Sequence, residues 1–212
     1  MTWTSVRRKG IIDKIKMKCG AALRLKETYM SKLIMVRYSG PVTEKALPEG
    51  YSFKLFDGTD ADIDQWVELC RAALLNTATR SLFDSTMANY PGVVPETDCL
   101  FVVDPNGKYV TTSTYFCETP ERGLVHMVAS APESRGKGLG HAILCEGVKM
   151  LQARGVKEIR LRTDDFRLAA IKTYLVGGFK PLIYDDKETN MEERWDKVLA
   201  ELNYKVDYVY EK

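Results

Sequence analysis

One stretch narrows what this chain can fold into more than any other. Val128-Ala129-Ser130-Ala131-Pro132-Glu133-Ser134-Arg135-Gly136-Lys137-Gly138-Leu139-Gly140 leaves a β-rich run, passes a proline-stopped loop and enters a helical one. Gly136, Gly138 and Gly140 carry no β-carbon, so the backbone can turn tightly and aim successive N–H groups at one point, the positive end of the following helix. Arg135 and Lys137 add positive charge, and the whole suits a pyrophosphate. A strand delivered onto a helix start belongs to α/β sheets, whose ligands bind where a strand hands over to a helix. The phosphate-loop pattern G-x-x-x-x-G-K-[ST] is absent, and the dinucleotide fingerprint fits poorly because this unit follows a meander late in the chain.

The remaining pattern frames that turn. Leu33-Ile34-Met35-Val36 reads as a short strand, and Gly40-Pro41 and Pro48-Glu49-Gly50 mark an entry to the main domain. A strand is predicted over 51–56, then a helix over 60–75 with Ile63, Trp66, Val67 and Cys70 at helical spacing, and an amphipathic stretch over 79–90. Residues 99–103 and 108–117 flank the turn Asp104-Pro105-Asn106-Gly107 and form a hairpin by its chemistry. A strand over 123–129 extends the sheet. Helix 138–154, strand 158–163, helix 168–176, strand 179–184, a helix near 190–202 and a last strand at 204–210 follow. The implied fold class is α/β: a meander giving way to βαβ units, hence a mixed sheet with helices on both faces.

Composition limits the alternatives. The chain has 212 residues, 45% hydrophobic and 28% charged, with 31 Lys+Arg against 29 Asp+Glu, as expected of a soluble globular protein rather than a disordered or fibrous one. Its five cysteines are scattered without a C-x-x-C pair, which fits reduced thiols and a cytoplasmic location. With two histidines, His126 and His141, they offer no zinc ligand set, and no metal is expected. No apolar run of membrane-spanning length and no secretory signal pattern is present. Residues 1–40 carry ten basic side chains against two acidic, and Ile11, Ile12, Ile15, Cys19, Ala22 and Leu23 recur at helical spacing. Residues 1–48 therefore read as a basic, partly helical extension and 49–212 as the main domain. The extension is expected to lie over acidic surface of its own chain or of a second subunit, leaving a homodimer open. Nucleic acid is not an expected partner, since no recognised motif supports it.

With Pro132 and the R-x-x-G-x-G turn, the run Ala170-Ile171-Lys172-Thr173-Tyr174-Leu175-Val176-Gly177-Gly178-Phe179 resembles the two signature motifs of the GNAT superfamily of acyl-CoA-dependent N-acyltransferases. The resemblance covers about 51–184 in element order. It implies a sheet with a splayed pair of parallel strands, acetyl-CoA as cosubstrate, and an amine acceptor that the sequence does not name. It implies that the pantetheine arm pairs along Val128, Ala129 and Ser130, with the N–H of Val128 facing the thioester carbonyl. Arg135, Gly136, Lys137, Gly138, Leu139 and Gly140, with the N–H of His141, would hold the pyrophosphate. Arg167 stands where many relatives place Asn, so it is expected to reach a phosphate or an acidic substrate instead.

Two residues carry the expected catalysis. Tyr174 sits where many members keep a tyrosine that protonates the departing thiolate; the alternative is a packed aromatic on the inner face of its helix. Strand alternation puts Leu124, His126 and Val128 on one face, so His126 is a candidate general base beside the thioester, the alternative being an ordinary strand histidine. The imidazole of His141 is expected to be structural. The expected activity is acetyl transfer from acetyl-CoA to an amine of a small molecule or peptide, by direct attack in a ternary complex. Transfer of another acyl group and a non-catalytic acyl-CoA-binding module remain alternatives. Acceptor loops are expected at about 75–94.

Overall fold

The computed structural model describes residues 32–184 and 190–211. Eight strands form one mixed sheet: β1 (Leu33–Tyr38), β2 (Ser52–Leu55), β3 (Cys99–Val103), β4 (Tyr109–Cys117), β5 (Arg122–Ser130), β6 (Glu158–Thr163), β7 (Lys180–Ile183) and β8 (Val209–Tyr210). Their order across the sheet is β2-β3-β4-β5-β6-β1-β7-β8. The β5–β6 and β7–β8 pairs are parallel and the others antiparallel. The helices are α1 (Asp60–Ala73), α2 (Arg80–Phe83), α3 (Pro95–Asp98), α4 (Leu139–Ala153), α5 (Leu168–Val176) and α6 (Met191–Glu201).

Local chemistry accounts for the boundaries. Thr59 caps α1 by accepting from the N–H of Asp62, and Asp60 and Asp62 lie in the first turn, where the helix dipole favours acids. In the β3–β4 hairpin, Asp104 Oδ1 accepts from the N–H groups of Asn106 and Lys108, and Gly107 takes φ 83°. The amphipathic stretch over 79–90 forms α2, continued by a π-helical turn, Asp84–Ala88. The expected last strand is shorter than read: only Val209–Tyr210 pairs, with β7.

Alternate residues feed two cores. Leu100 and Val102 of β3 join Val125, Ile159, Leu161, Ile143 and Leu151 in the cluster beneath α4 and α5, which also holds Trp195 of α6. Cys99 and Phe101 join Trp66, Phe83, Met87, Phe116 and Leu124 in the cluster that α1 and α2 cover. A sheet with both faces buried in this way needs near-continuous apolar strands, and β3 supplies one in Cys99-Leu100-Phe101-Val102-Val103.

Two expectations are corrected. The division at residue 48 fails for the described part of the extension: β1 lies between β6 and β7, with Leu33 opposite Thr163 and Val36 opposite Lys180, so residues 33–38 belong to the sheet. The hydrophobic run was legible, but its neighbours lie more than 120 residues away in sequence. The expected helix over 11–23 falls outside the described residues. Second, β5 does not alternate cleanly. Thr112 pairs with Ala129 and Thr114 with His126, so Ser113 faces two residues, Met127 and Val128, in a β-bulge. Met127 takes φ 49°, in the left-handed region that a non-glycine residue rarely adopts. Val128 consequently packs against the cluster under α4, while Met127 and Ala129 pack against the other. His126 and Val128 therefore lie on opposite faces.

Candidate functional site

The bulge stands where the sheet opens. The β5–β6 ladder runs from Arg122↔Glu158 to Val125↔Leu161 and ends there, although β5 continues to Ser130 and stays paired with β4 on its other side. From His126 onward one edge of β5 has no strand beside it among the described residues, a place where an extended ligand can add backbone hydrogen bonds. Thr163, two residues past the ladder's end on β6, is 5% exposed, and its Oγ1 has no hydrogen-bond partner among the described residues. Ser113 Oγ, opposite the bulge, is likewise buried and unpartnered among them.

Past Ser130 the glycine turn takes the form its residues require. A 3₁₀ turn, Pro132–Ser134, is closed by Ser134, whose hydroxyl donates to Ala131 O at 2.7 Å. Gly136 and Gly138 adopt φ 79° and 76°, and Gly138 starts α4. The N–H groups of Leu139, Gly140 and His141, in the first turn, have no intrahelical acceptor, no cap hydrogen bond from a described side chain serves them, and the turn holds no acid. Arg135 is exposed. Lys137 Nζ donates to Tyr51 Oη at 3.1 Å and lies 5.8 Å from the centre of that ring. His141 Nε2 is buried without a partner among the described residues, and burial, then the charge of Lys45, lower its pKa.

Tyr174, on α5, is 7% exposed, and its ring centre lies 6.2 Å from that of Phe179. Burial pushes its phenol up to about 12, so it holds its proton at neutral pH. Arg167 precedes α5; its Nε bonds Asp164 Oδ2 at 3.0 Å and its Nη2 bonds Leu74 O at 3.4 Å. Its guanidinium carbon lies 5.2 Å from the Phe166 ring centre. It thus ties the loop after β6 to the end of α1, using donors that a phosphate or acidic substrate would otherwise take.

His126 lies on the α1–α2 face. Its ring stacks on Tyr90 at 4.8 Å between centres and meets Phe116 edge-on at 6.1 Å. Its Nε2 lies 3.1 Å from Thr86 O. A carbonyl only accepts, so a neutral ring carries its proton on Nε2 and leaves Nδ1 as the acceptor. Burial is the main cause that pushes its pKa down to about 4. Thr86 and Tyr90 belong to the stretch expected to receive the acceptor, so the structure brings that stretch and His126 together. Among the described residues no group of three or more His, Cys, Asp or Glu is placed to hold a metal, and no helix is long and apolar enough to cross a membrane.

A mixed sheet opened between two parallel strands, with an uncapped glycine turn at the opening, defines the acyltransferase fold that the two motifs suggested. The sequence profile of the acetyltransferase (GNAT) family matches residues 63–179, and the chain belongs to that family. Mycothiol acetyltransferase of Pseudarthrobacter chlorophenolicus is 29% identical over 158 residues, covering 70% of this chain and 48% of its own. That of Arthrobacter sp. (strain FB24) is 27% identical over the same length and shares. The chain thus spans about half the length of the curated relatives it matches. In fold it is similar to a GCN5-related N-acetyltransferase from Sphaerobacter thermophilus (TM-score 0.57, 22% identity, 76% of this chain and 53% of that one). A GCN5-related N-acetyltransferase from Kribbella flavida is similar as well (TM-score 0.52, 16% identity, 73% and 56%).

Proposed function

We propose that the chain transfers an acetyl group from acetyl-CoA to an amine of a small molecule or peptide by direct attack in a ternary complex. The observation that carries this reading is the parting of β5 from β6 at Val125↔Leu161, on the strand that leads straight into the uncapped start of α4. The described residues fit the cosubstrate. The turn offers unbonded N–H groups for a pyrophosphate, the unpaired edge of β5 suits the amides of a pantetheine arm, and Thr163 and Ser113 have buried hydroxyls to spare. Acetyl-CoA supplies an activated acyl group on a good leaving thiolate.

In this reading Arg135, Lys137 and the N–H groups of 136–141 bind the pyrophosphate, and Val128, Ala129 and Ser130 pair with the arm. The N–H of Val128, in the bulge, faces the thioester carbonyl; one such donor is worth on the order of 3 kcal/mol to an oxyanion. Tyr174 keeps its proton until the thiolate departs and then donates it. Nδ1 of His126 accepts from the attacking amine and orients it; with a pKa near 4 the ring passes the proton on to water rather than keeping it. The names of the curated relatives support an acceptor of small-molecule size.

Acetyl-CoA at 100 times its dissociation constant is expected to stabilise the fold by about 2.7 kcal/mol, and free thiol to appear with some member of an amine panel. An unchanged melting temperature would remove the reading. Stabilisation by acetyl-CoA without thiol release from any amine would leave a binding module in its place.

A further inference from the structure

A lysine outside both motifs stands at the glycine turn. The loop between β1 and β2 carries Lys45, and a β-carbon at Gly138 would lie 3.0 Å from Lys45 Cε and 3.9 Å from its Nζ. The loop is fixed there by its neighbours in sequence. Cys145 Sγ of α4 donates to Thr43 O at 3.1 Å, Lys149 of α4 pairs with Glu44 at 3.4 Å, and Val42 and Leu47 pack on the core beneath α4. Lys45 itself forms no ion pair with a described residue, because Glu44 is turned to Lys149 and Glu133 to Lys108.

This placement is electrostatically unfavourable as it stands. An ammonium at the start of a helix opposes the dipole, and here it joins Arg135, Lys137 and a helix start without an acid. The same charge already disfavours protonation of His141. A diphosphate reverses the sign of each of these interactions, since it would accept from the N–H groups and from the ammonium together.

We infer that Lys45 is a pyrophosphate-binding residue, supplied to the cosubstrate site by the β1–β2 loop, which lies outside the residues matched by the family profile. The inference rests on the proposed acetyl-CoA site. The consequence is that the segment before residue 63 both completes the sheet and closes the phosphate end of the site.

The test is the affinity of the full chain for CoA, for dephospho-CoA, which lacks the 3′-phosphate, and for pantetheine, which lacks all phosphates. Lys45→Gln should weaken CoA and dephospho-CoA by about the same factor, roughly tenfold. It should leave pantetheine unchanged, and Lys45→Arg should restore most of the loss. The loss should shrink as salt is raised from about 50 mM to about 500 mM. Raised KM for acetyl-CoA with unchanged kcat is the matching kinetic result. Equal affinities of parent and Lys45→Gln would overturn the inference, as would a loss seen with CoA alone, which would move the contact to the 3′-phosphate. No binding of CoA to the parent chain would instead sink the proposed site itself, and with it this inference.

Discussion

The phenol ring of Tyr115 fills the space that a side chain at Gly147 would occupy: a β-carbon there would stand 2.0 Å from Cζ of the ring. The ring is fully buried, and its hydroxyl donates to Ile143 O, one turn earlier in α4, at 2.8 Å. α4 can approach the centre of the sheet only because position 147 has no side chain. In an exposed helix, alanine for glycine gains about 1 kcal/mol. Here Gly147→Ala should destabilise by about 2 kcal/mol or more, since the clash is with a ring that has no room to retreat. Urea denaturation measures it, and in a Tyr115→Ala background the same change should turn neutral or favourable. A neutral effect in the parent protein would show that the ring can move.

Gly138 is the second constrained glycine. Its φ of 76° is unfavourable for a β-branched residue, and a side chain would meet Lys45. Gly138→Val should reduce the thermal shift given by saturating acetyl-CoA to a small fraction of the parent value. A full shift in the variant would place the phosphate elsewhere.

His126 gives a pH prediction with a definite sign. The unfolded imidazole binds a proton near pH 6.5 and the folded one near 4, so stability is lost as pH falls from 6.5 towards 4. In His126→Gln this part of the acid slope should disappear, as denaturation at about pH 7 and about pH 4.5 would show. In kcat/KM no limb should appear near 6.5; the rise with pH should follow the acceptor amine in both proteins, with the variant lower by about tenfold. A limb at the ordinary imidazole value present only in the parent would make His126 a base of ordinary strength.

If the Tyr174 hydroxyl acts on the departing thiolate as proposed, Tyr174→Phe should lower kcat by about 10²-fold and leave the affinity for CoA nearly unchanged. With its phenol pushed up to about 12, the parent should keep its activity to at least about pH 9 without a falling limb from this group. Equal turnover in the two proteins would leave Tyr174 a packed aromatic.

Arg37, 7% exposed, has no carboxylate of a described residue on it and instead donates to the carbonyls of Gly177, Tyr38, Gly40 and Pro41. It fastens the end of β1 to the end of α5. Arg37→Met should cost about 3 kcal/mol through the carbonyls left without donors, and Arg37→Lys should recover little of it, since an ammonium lacks the planar fork. A melting temperature within about 2 °C of the parent would contradict this; a domain of this size is expected to lose several degrees.

The sequence was most informative where chemistry is local. The strands 99–103 and 158–163 and the helix 168–176 match their expected bounds, because turn residues and glycines punctuate them. The glycine turn was legible for the same reason. The faces of β5 were not: nothing in His126-Met127-Val128 announces that Met127 takes a left-handed conformation, so simple alternation put His126 and Val128 together. Lys45 and Arg37 were missed because neither belongs to a motif and what each meets is backbone or glycine: Gly138 for Lys45, and for Arg37 the carbonyls of Tyr38, Gly40 and Pro41 nearby and of Gly177 far along the chain.

The position of β1 sets the order in which the sheet can be assembled during synthesis. Leu33 is translated about 130 residues before Thr163, its partner, and β7 on its other side follows later still. At ordinary elongation rates of roughly 5–20 residues per second the strand waits roughly 6 to 26 seconds with both edges open. The β2–β5 meander can pair as it emerges, whereas β6 and β7 become neighbours in the sheet only through a strand made first. Closure is therefore a late, non-local step, and chains halted before residue 158 should expose β1 as an unpaired strand, the state in which nascent chains most readily pair with one another.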